Sequence, residues 1–168
     1  RFDLQGGRKL FLHRTWLDGG WHYPSKKDPF TSDWPAPRPL YGGENLPRMP
    51  YADVLIVEGE KARDKAQSLL PDTCCLAWAN GSNAIDKTDW KPLKNRFVFL
   101  WPDNDEPGRK AMDRLASKLV EEYGCNVQLI SSPVDAPSGW DIADANWTED
   151  QAAEHFQNNR VAWTQKPH

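Results

Sequence analysis

Cysteine is scarce in this 168-residue sequence, which holds only Cys74, Cys75 and Cys125 and contains no C-x-x-C or other Cys/His ligand spacing. That argues against a disulfide-stapled scaffold and against a structural zinc site. Cys74 and Cys75 are adjacent and would bridge only with strain. All three lie in apolar surroundings, so they are expected as reduced core residues of a cytoplasmic protein. No apolar run approaches the roughly 20 residues that span a bilayer, and no membrane partner is expected. A phosphate loop of the form G-x-x-x-x-G-K-[ST] is missing as well, so a helicase motor would have to lie elsewhere. The opening stretch RFDLQGGRKL has neither an initiating methionine nor the apolar core of a signal peptide, and we expect a piece of a longer protein. Internal repeats and low-complexity tracts are absent.

What is present suffices for one real core. With 39% hydrophobic and 11% aromatic residues, a single domain with an appendage is the default. The net charge of −3 lacks the basic footprint usual for nucleic-acid binding, yet the total hides an asymmetry. Residues 1–50 hold eight Lys/Arg against five Asp/Glu, and residues 51–168 hold thirteen against nineteen. A basic arm before an acidic body suits a cation site beside a phosphate-bearing ligand, although solvated surface charge explains the same balance.

The chain is expected to divide into residues 1–50, a β-hairpin and a Pro-rich connection, and residues 51–168, an α/β domain. In the first part RKLFLHRTW and LDGGWHY alternate polar and bulky residues around Asp18, Gly19 and Gly20, which predicts a hairpin with these three in the turn. Seven prolines between Pro24 and Pro50 predict an irregular connection. From Asp53 the pattern changes to apolar runs at Val54–Val57, Cys74–Ala79, Phe97–Trp101 and Val127–Ile130. Runs without alternation mark strands buried on both faces, hence a compact parallel sheet flanked by helices. Ala62, Ala66, Leu69 and Leu70 share one helical face. Pro107 fits a first helical turn and Gly124 a helix end. TEDQ, at Thr148–Gln151, has the form of a capping box. Asp113 is placed on the solvent face of the helix after the third strand.

In such sheets ligands gather outside the carboxyl ends of the strands. Two strands here end in acids: Glu58 after the first, and Asp103 and Asp105 of WPDNDEPG after the third. Carboxylates about 4 Å apart repel by roughly 4 kcal/mol per pair at an effective dielectric near 20, so their convergence calls for a cation or for raised pKa values. All-oxygen ligands select Mg²⁺ or Mn²⁺ over zinc. In the hairpin, Trp16, Trp21, His13 and Tyr23 interleave with Arg8, Lys9 and Arg14, a mixture that can stack bases and neutralise phosphates.

Glu-Gly after a first strand and Asp-x-Asp after a later one resemble the Toprim domain of topoisomerases, bacterial-type primases, overcoming-lysogenization-defect nucleases and a recombination protein. More narrowly, PLYG, VLIVEGEKA, WPDNDEPGRKA and GWDIADA, in that order between Arg38 and Phe156, look like the Toprim modules of phage or mobile-element primases and primase-helicases. The resemblance implies that Glu58 is a metal ligand or general acid/base, that Asp103 and Asp105 are the metal-binding pair, and that Asp141, with Asp144 behind it, is a further acid of the site. Gly59 would allow the strand-to-helix turn, Gly81 and Ser82 would lie in a loop near the site, and Lys61 and Lys110 are possible phosphate contacts. Arg14, Trp16 and Trp21 would bind nucleic acid. The expected activity is Mg²⁺- or Mn²⁺-dependent nucleotidyl transfer, with single-stranded DNA template, nucleotides and a helicase as partners.

Other readings stay open. A nuclease uses the same acids to activate water, and a noncatalytic module would keep the fold to grip single strands or a helicase. Glu58 alone could be an acid at a helix start, DNDEPG a turn and N-cap, and Asp141 and Asp144 the cap of a short turn. The two lysines could be solvated and the hairpin aromatics buried. Topoisomerase chemistry needs a tyrosine nucleophile from another domain, and a receiver-like fold needs a lysine after a late strand that NVQLISSPVDAP does not supply.

Overall fold

The computed structural model describes residues 36–79 and 81–165 throughout, together with the backbone of four short strands between Phe2 and His22. The chain divides into two compact units, Arg1–Arg38 and Pro39–His168. In the first, β1 (Phe2–Asp3) pairs antiparallel with β2 (Lys9–Leu10), and β3 (Thr15–Leu17) with β4 (Gly20–His22). The second pair is the expected hairpin. Gly20, placed in the turn by the sequence pattern, instead opens β4 as the partner of Leu17.

The second unit contains β5 (Val54–Glu58), α1 (Glu60–Leu69), β6 (Cys74–Trp78), β7 (Phe97–Trp101), α2 (Glu106–Tyr123), β8 (Asn126–Ile130), α3 (Glu149–Asn158) and β9 (Arg160–Ala162). The strands form one sheet in the order β6-β5-β7-β8-β9, parallel except for β9. All four expected apolar runs are strands of this sheet, and their continuity has a simple cause. Successive side chains of a strand point to opposite faces, and here both faces are covered. Val54 and Ile56 join Trp78, Leu100 and the α2 residues Met112, Leu115 and Leu119 in one core. Leu55 and Val57 join Phe99, Trp101, Ala62 and Ala66 of α1, and Ala152 and Phe156 of α3 in the other. Burying one such aliphatic or aromatic side chain contributes about 1.5–3 kcal/mol.

The helix ends follow the local chemistry read from the sequence. Asp105 caps α2, its Oδ1 accepting from Gly108 N at 2.7 Å, with Pro107 in the first turn and Gly124 left-handed (φ 65°) at the end. Thr148 and Gln151 form the capping box of α3.

Three features differ from the expectation. The end of the Pro-rich connection is packed: Leu40 and Leu46 are buried, and Tyr41 bridges Ala77 through N–H···O bonds of 2.9 and 3.1 Å, which satisfies backbone groups on the outer edge of β6. Strand β9 carries no legible pattern. Its Arg160 guanidinium lies over both the Phe99 ring (4.3 Å) and the Phe156 ring (4.5 Å), which meet edge to face, and pairs with Asp53 at 3.2 Å. Asp113, finally, is not a bare surface acid, because it accepts a hydrogen bond from Trp163 Nε1 at 3.0 Å.

Candidate functional site

Strand order decides where a site can form. From β5 the chain crosses outward to β6, and from β7 it crosses the other way to β8, so the connections of these two adjacent strands run toward opposite sides. The carboxyl ends of β5 and β7 are where such a reversal places a binding crevice. Glu58 is the last residue of β5, half-buried, and the chain turns behind it at Gly59, whose φ of 84° is one that L side chains rarely adopt. Gly81 lies across from it: a Cβ there would stand 3.9 Å from Glu58 Oε1. Trp78, which ends β6, holds that loop by donating its indole N–H to Gly81 O at 2.8 Å. Ser82 follows at the start of a 3-10 turn, exposed.

Asp103 and Asp105 follow β7 in a tight loop closed by Asp105 N donating to Asp103 O at 2.8 Å. Asp141 begins a 3-10 turn over Ile142–Asp144, its Oδ1 accepting from Ala143 N while Asp144 reaches back to Asp141 N at 3.4 Å. Asp105, Asp141 and Asp144 are therefore cap residues and candidate acids at once, whereas Glu58 and Asp103 cap no helix. The carboxylates act on one another. Asp103 is pushed from an ordinary 3.8 up to about 7, first by burial and then by the negative charges of Glu58, Asp141, Asp105 and Asp144. Glu58 is raised too, by burial first and then by Asp105.

Every group that raises Asp103 electrostatically is a carboxylate, the donor type of Mg²⁺ or Mn²⁺, and a cation among them would relieve their repulsion. The residues fit that ion in chemistry and charge. They are not drawn in around one, since among the described residues no group of three or more His, Cys, Asp or Glu is arranged to hold a metal. Asp105 and Asp141 each commit one oxygen to a cap and retain a second.

This sheet and its acidic edge can be compared with known proteins. No protein-family model matches the chain, and no curated protein matches it. Among solved structures it is similar to a DNA primase domain from Pseudomonas aeruginosa, with a TM-score of 0.57 and 18% identity over 89% of this chain and 46% of that one. The fold is similar to that of a primase domain. Two further matches are the Aquifex aeolicus primase zinc-binding and RNA polymerase domains (TM-score 0.49, 20% identity, 73% of this chain and 30% of that one) and the DnaG primase catalytic domain bound to ssDNA (0.49, 18%, 70% and 38%). The chain spans less than half the length of each of these primase chains.

The remaining candidates are placed as follows. Lys61 stands exposed in the first turn of α1, and Lys110, also exposed, pairs with Glu106 at 3.2 Å near the start of α2. Neither is in contact with the acids. Trp16 and Trp21 are register partners across β3 and β4, but their side chains, and Arg14 entirely, lie outside the described residues. Sequence reasoning passed over Asn104 and Trp78. The first was read as turn chemistry within DNDEPG and the second as core; only the tertiary fold brings their hydrogen-bonding groups to the loops of the site.

Proposed function

We propose that this chain is the Toprim-type catalytic core of a phage or mobile-element DNA primase, making primers by metal-dependent nucleotidyl transfer on single-stranded DNA. The observation that carries this reading is the convergence of carboxylates from three separate loops at the carboxyl edge of a primase-like sheet, where burial first and their mutual repulsion second lift Asp103 to about 7. Glu58, Asp103, Asp105 and Asp141 would hold the ion or ions. Bound Mg²⁺ or Mn²⁺ would supply positive charge to nucleotide phosphates and a nearby 3′ hydroxyl. The chain's own residues do the rest. Asp103, raised to about 7, is divided between its protonated and charged forms near neutral pH and yields its proton on becoming a ligand, and Glu58, raised by burial and then by Asp105, stands beside it as a second ligand. Gly59 and Gly81 leave room for close approach, and the Ser82 hydroxyl, Lys61 and Lys110 offer contacts to phosphate. Arg14, Trp16 and Trp21 take the single strand by charge and stacking. A helicase, on the same or another polypeptide, is the expected partner, and the cytoplasm the expected location; no described helix is long and apolar enough to cross a membrane.

One observation favours a second reading, a noncatalytic single-strand or helicase-binding module: the described acids are not gathered to hold a metal. Incubation with single-stranded DNA, labelled nucleotides and Mn²⁺, scoring extension and cleavage separately, distinguishes the readings. Extension is expected, lost in EDTA and in Glu58→Gln or Asp103→Asn, and retained in Asp72→Asn, an exposed turn residue at the opposite end of the sheet. Trp16→Ala and Arg14→Ala should weaken single-strand binding. Cleavage without extension indicates a nuclease, and binding that survives EDTA with no turnover indicates the noncatalytic module.

A further inference from the structure

The aspartates of the site come from separate loops that lie beyond the paired residues of the sheet. Asp103 and Asp105 follow β7, Asp141 lies beyond β8, and all of α2 stands between them in sequence. The link is Asn104, the residue flanked by the two aspartates. Its backbone N–H donates to Trp140 O at 2.8 Å and its carbonyl accepts from Gly139 N at 3.0 Å. Its side-chain Nδ2 donates to Ala136 O at 2.8 Å and to Pro137 O at 3.0 Å. Four bonds thus run from one residue to a single segment, Ala136–Trp140, which ends directly before Asp141. The amide is oriented by Arg109, whose Nη1 donates to Oδ1 at 3.4 Å, leaving Nδ2 to the loop. From the other side the segment is seated by the Trp140 ring, 6.3 Å from that of Trp101 and 5.7 Å from that of Trp147.

Any residue but proline at 104 could make the two backbone bonds. The two side-chain bonds need an N–H donor of this reach that brings no charge, because the groups to be met are carbonyl oxygens and the neighbours are carboxylates. Serine is too short, and aspartate would set an oxygen against two oxygens. Asparagine meets all three conditions.

We propose that Asn104 is a positioning residue that holds the Asp141 loop against the Asp103–Asp105 loop and thereby sets the cation affinity of the acidic site. The inference rests on the cation reading given above. Residues that orient ligands from behind typically carry a 10–100-fold effect on metal affinity.

The test measures Mn²⁺ binding by calorimetry on the whole 168-residue chain for the parent, Asn104→Leu, Asp141→Asn and the double variant, with amide exchange followed at Gly139–Ala143 without metal. Asn104→Leu should weaken Mn²⁺ binding by about 10–100-fold and speed exchange in that segment alone. In the Asp141→Asn background it should cost little more, because the ligand it positions is gone. Equal losses in both backgrounds would show that Asn104 supports the fold at large, and parental affinity in Asn104→Leu would overturn the proposal outright. Should that variant fail to fold, Asn104→Asp decides by sign: added negative charge alone would tighten Mn²⁺, whereas loss of the donor loosens it. A parent that binds no Mn²⁺ overturns the cation reading itself; exchange then judges the clamp separately, and unchanged exchange removes that too.

Discussion

Asp103→Asn removes one charge from the crowded edge of the sheet and leaves the shape of the residue almost unchanged. In the folded chain the Asp103 carboxyl is raised from 3.8 to about 7, so the native state keeps a proton that the unfolded chain has already released. Below about pH 4 both states are protonated and the substitution changes little. As pH rises from about 4 to about 7 the parent loses stability, and above that range the full penalty of burying this carboxylate among others is present. Each tenfold change in proton affinity corresponds to about 1.4 kcal/mol. Because Asp103 is only partly buried, solvent screening reduces the total, and about 2 kcal/mol is a fair expectation. For a chain of this size that is roughly 4–8 °C in thermal midpoint. Melting in EDTA across pH 4–8 should therefore show Asp103→Asn matching the parent at the acid end and melting higher at pH 8. Saturating Mn²⁺ should reverse the order, since only the parent gains a ligand-bound native state. An Asn variant that melts lower at pH 8, or a gap independent of pH, would refute the electrostatic account of the site.

Asp105 has two duties that substitutions separate: Asp105→Asn keeps the acceptor for Gly108 N and should retain stability, Asp105→Ala should cost about 1 kcal/mol through the lost cap, and both should lose Mn²⁺ binding in calorimetry. Gly108→Ala should disturb the acidic loop from beneath, because a Cβ there would lie 2.9 Å from Asp103 O and 3.0 Å from Asp105 Oδ1. Overpacking of this kind costs about 1–3 kcal/mol, and unchanged melting with unchanged Mn²⁺ affinity would show that the loop is not held as described.

Much of the central sheet was legible because burial on both faces leaves its mark in the chain itself, as unbroken runs such as Val54–Val57 and Phe97–Trp101. Helix ends were equally local: the Thr148 capping box and Gly124 need only their neighbours. Glu58 and Asp103 stand out for the same reason, as acids set directly after apolar strands. What sequence reasoning missed is non-local. Arg160 fixes β9 through Asp53, far away in the chain, and Asp113 meets Trp163 only after β9 has turned back along β8. Asn104 looks like a turn former until Ala136 and Pro137 are brought to it.

The adjacent thiols of β6 have a consequence for following the molecule's opening. Cys74 belongs to the core beneath α2 and Cys75 to the core beneath α1 and α3, so one strand carries a reporter in each layer. Both are buried, and burial raises both thiols, Cys75 to about 12. In the closed protein neither offers a thiolate to reagent near neutral pH. Alkylation of either must wait for its own layer to lift. Mapping the labelled position by mass spectrometry, with and without Mn²⁺, would time the separation of the two helical layers from the sheet and show which one the acidic edge restrains.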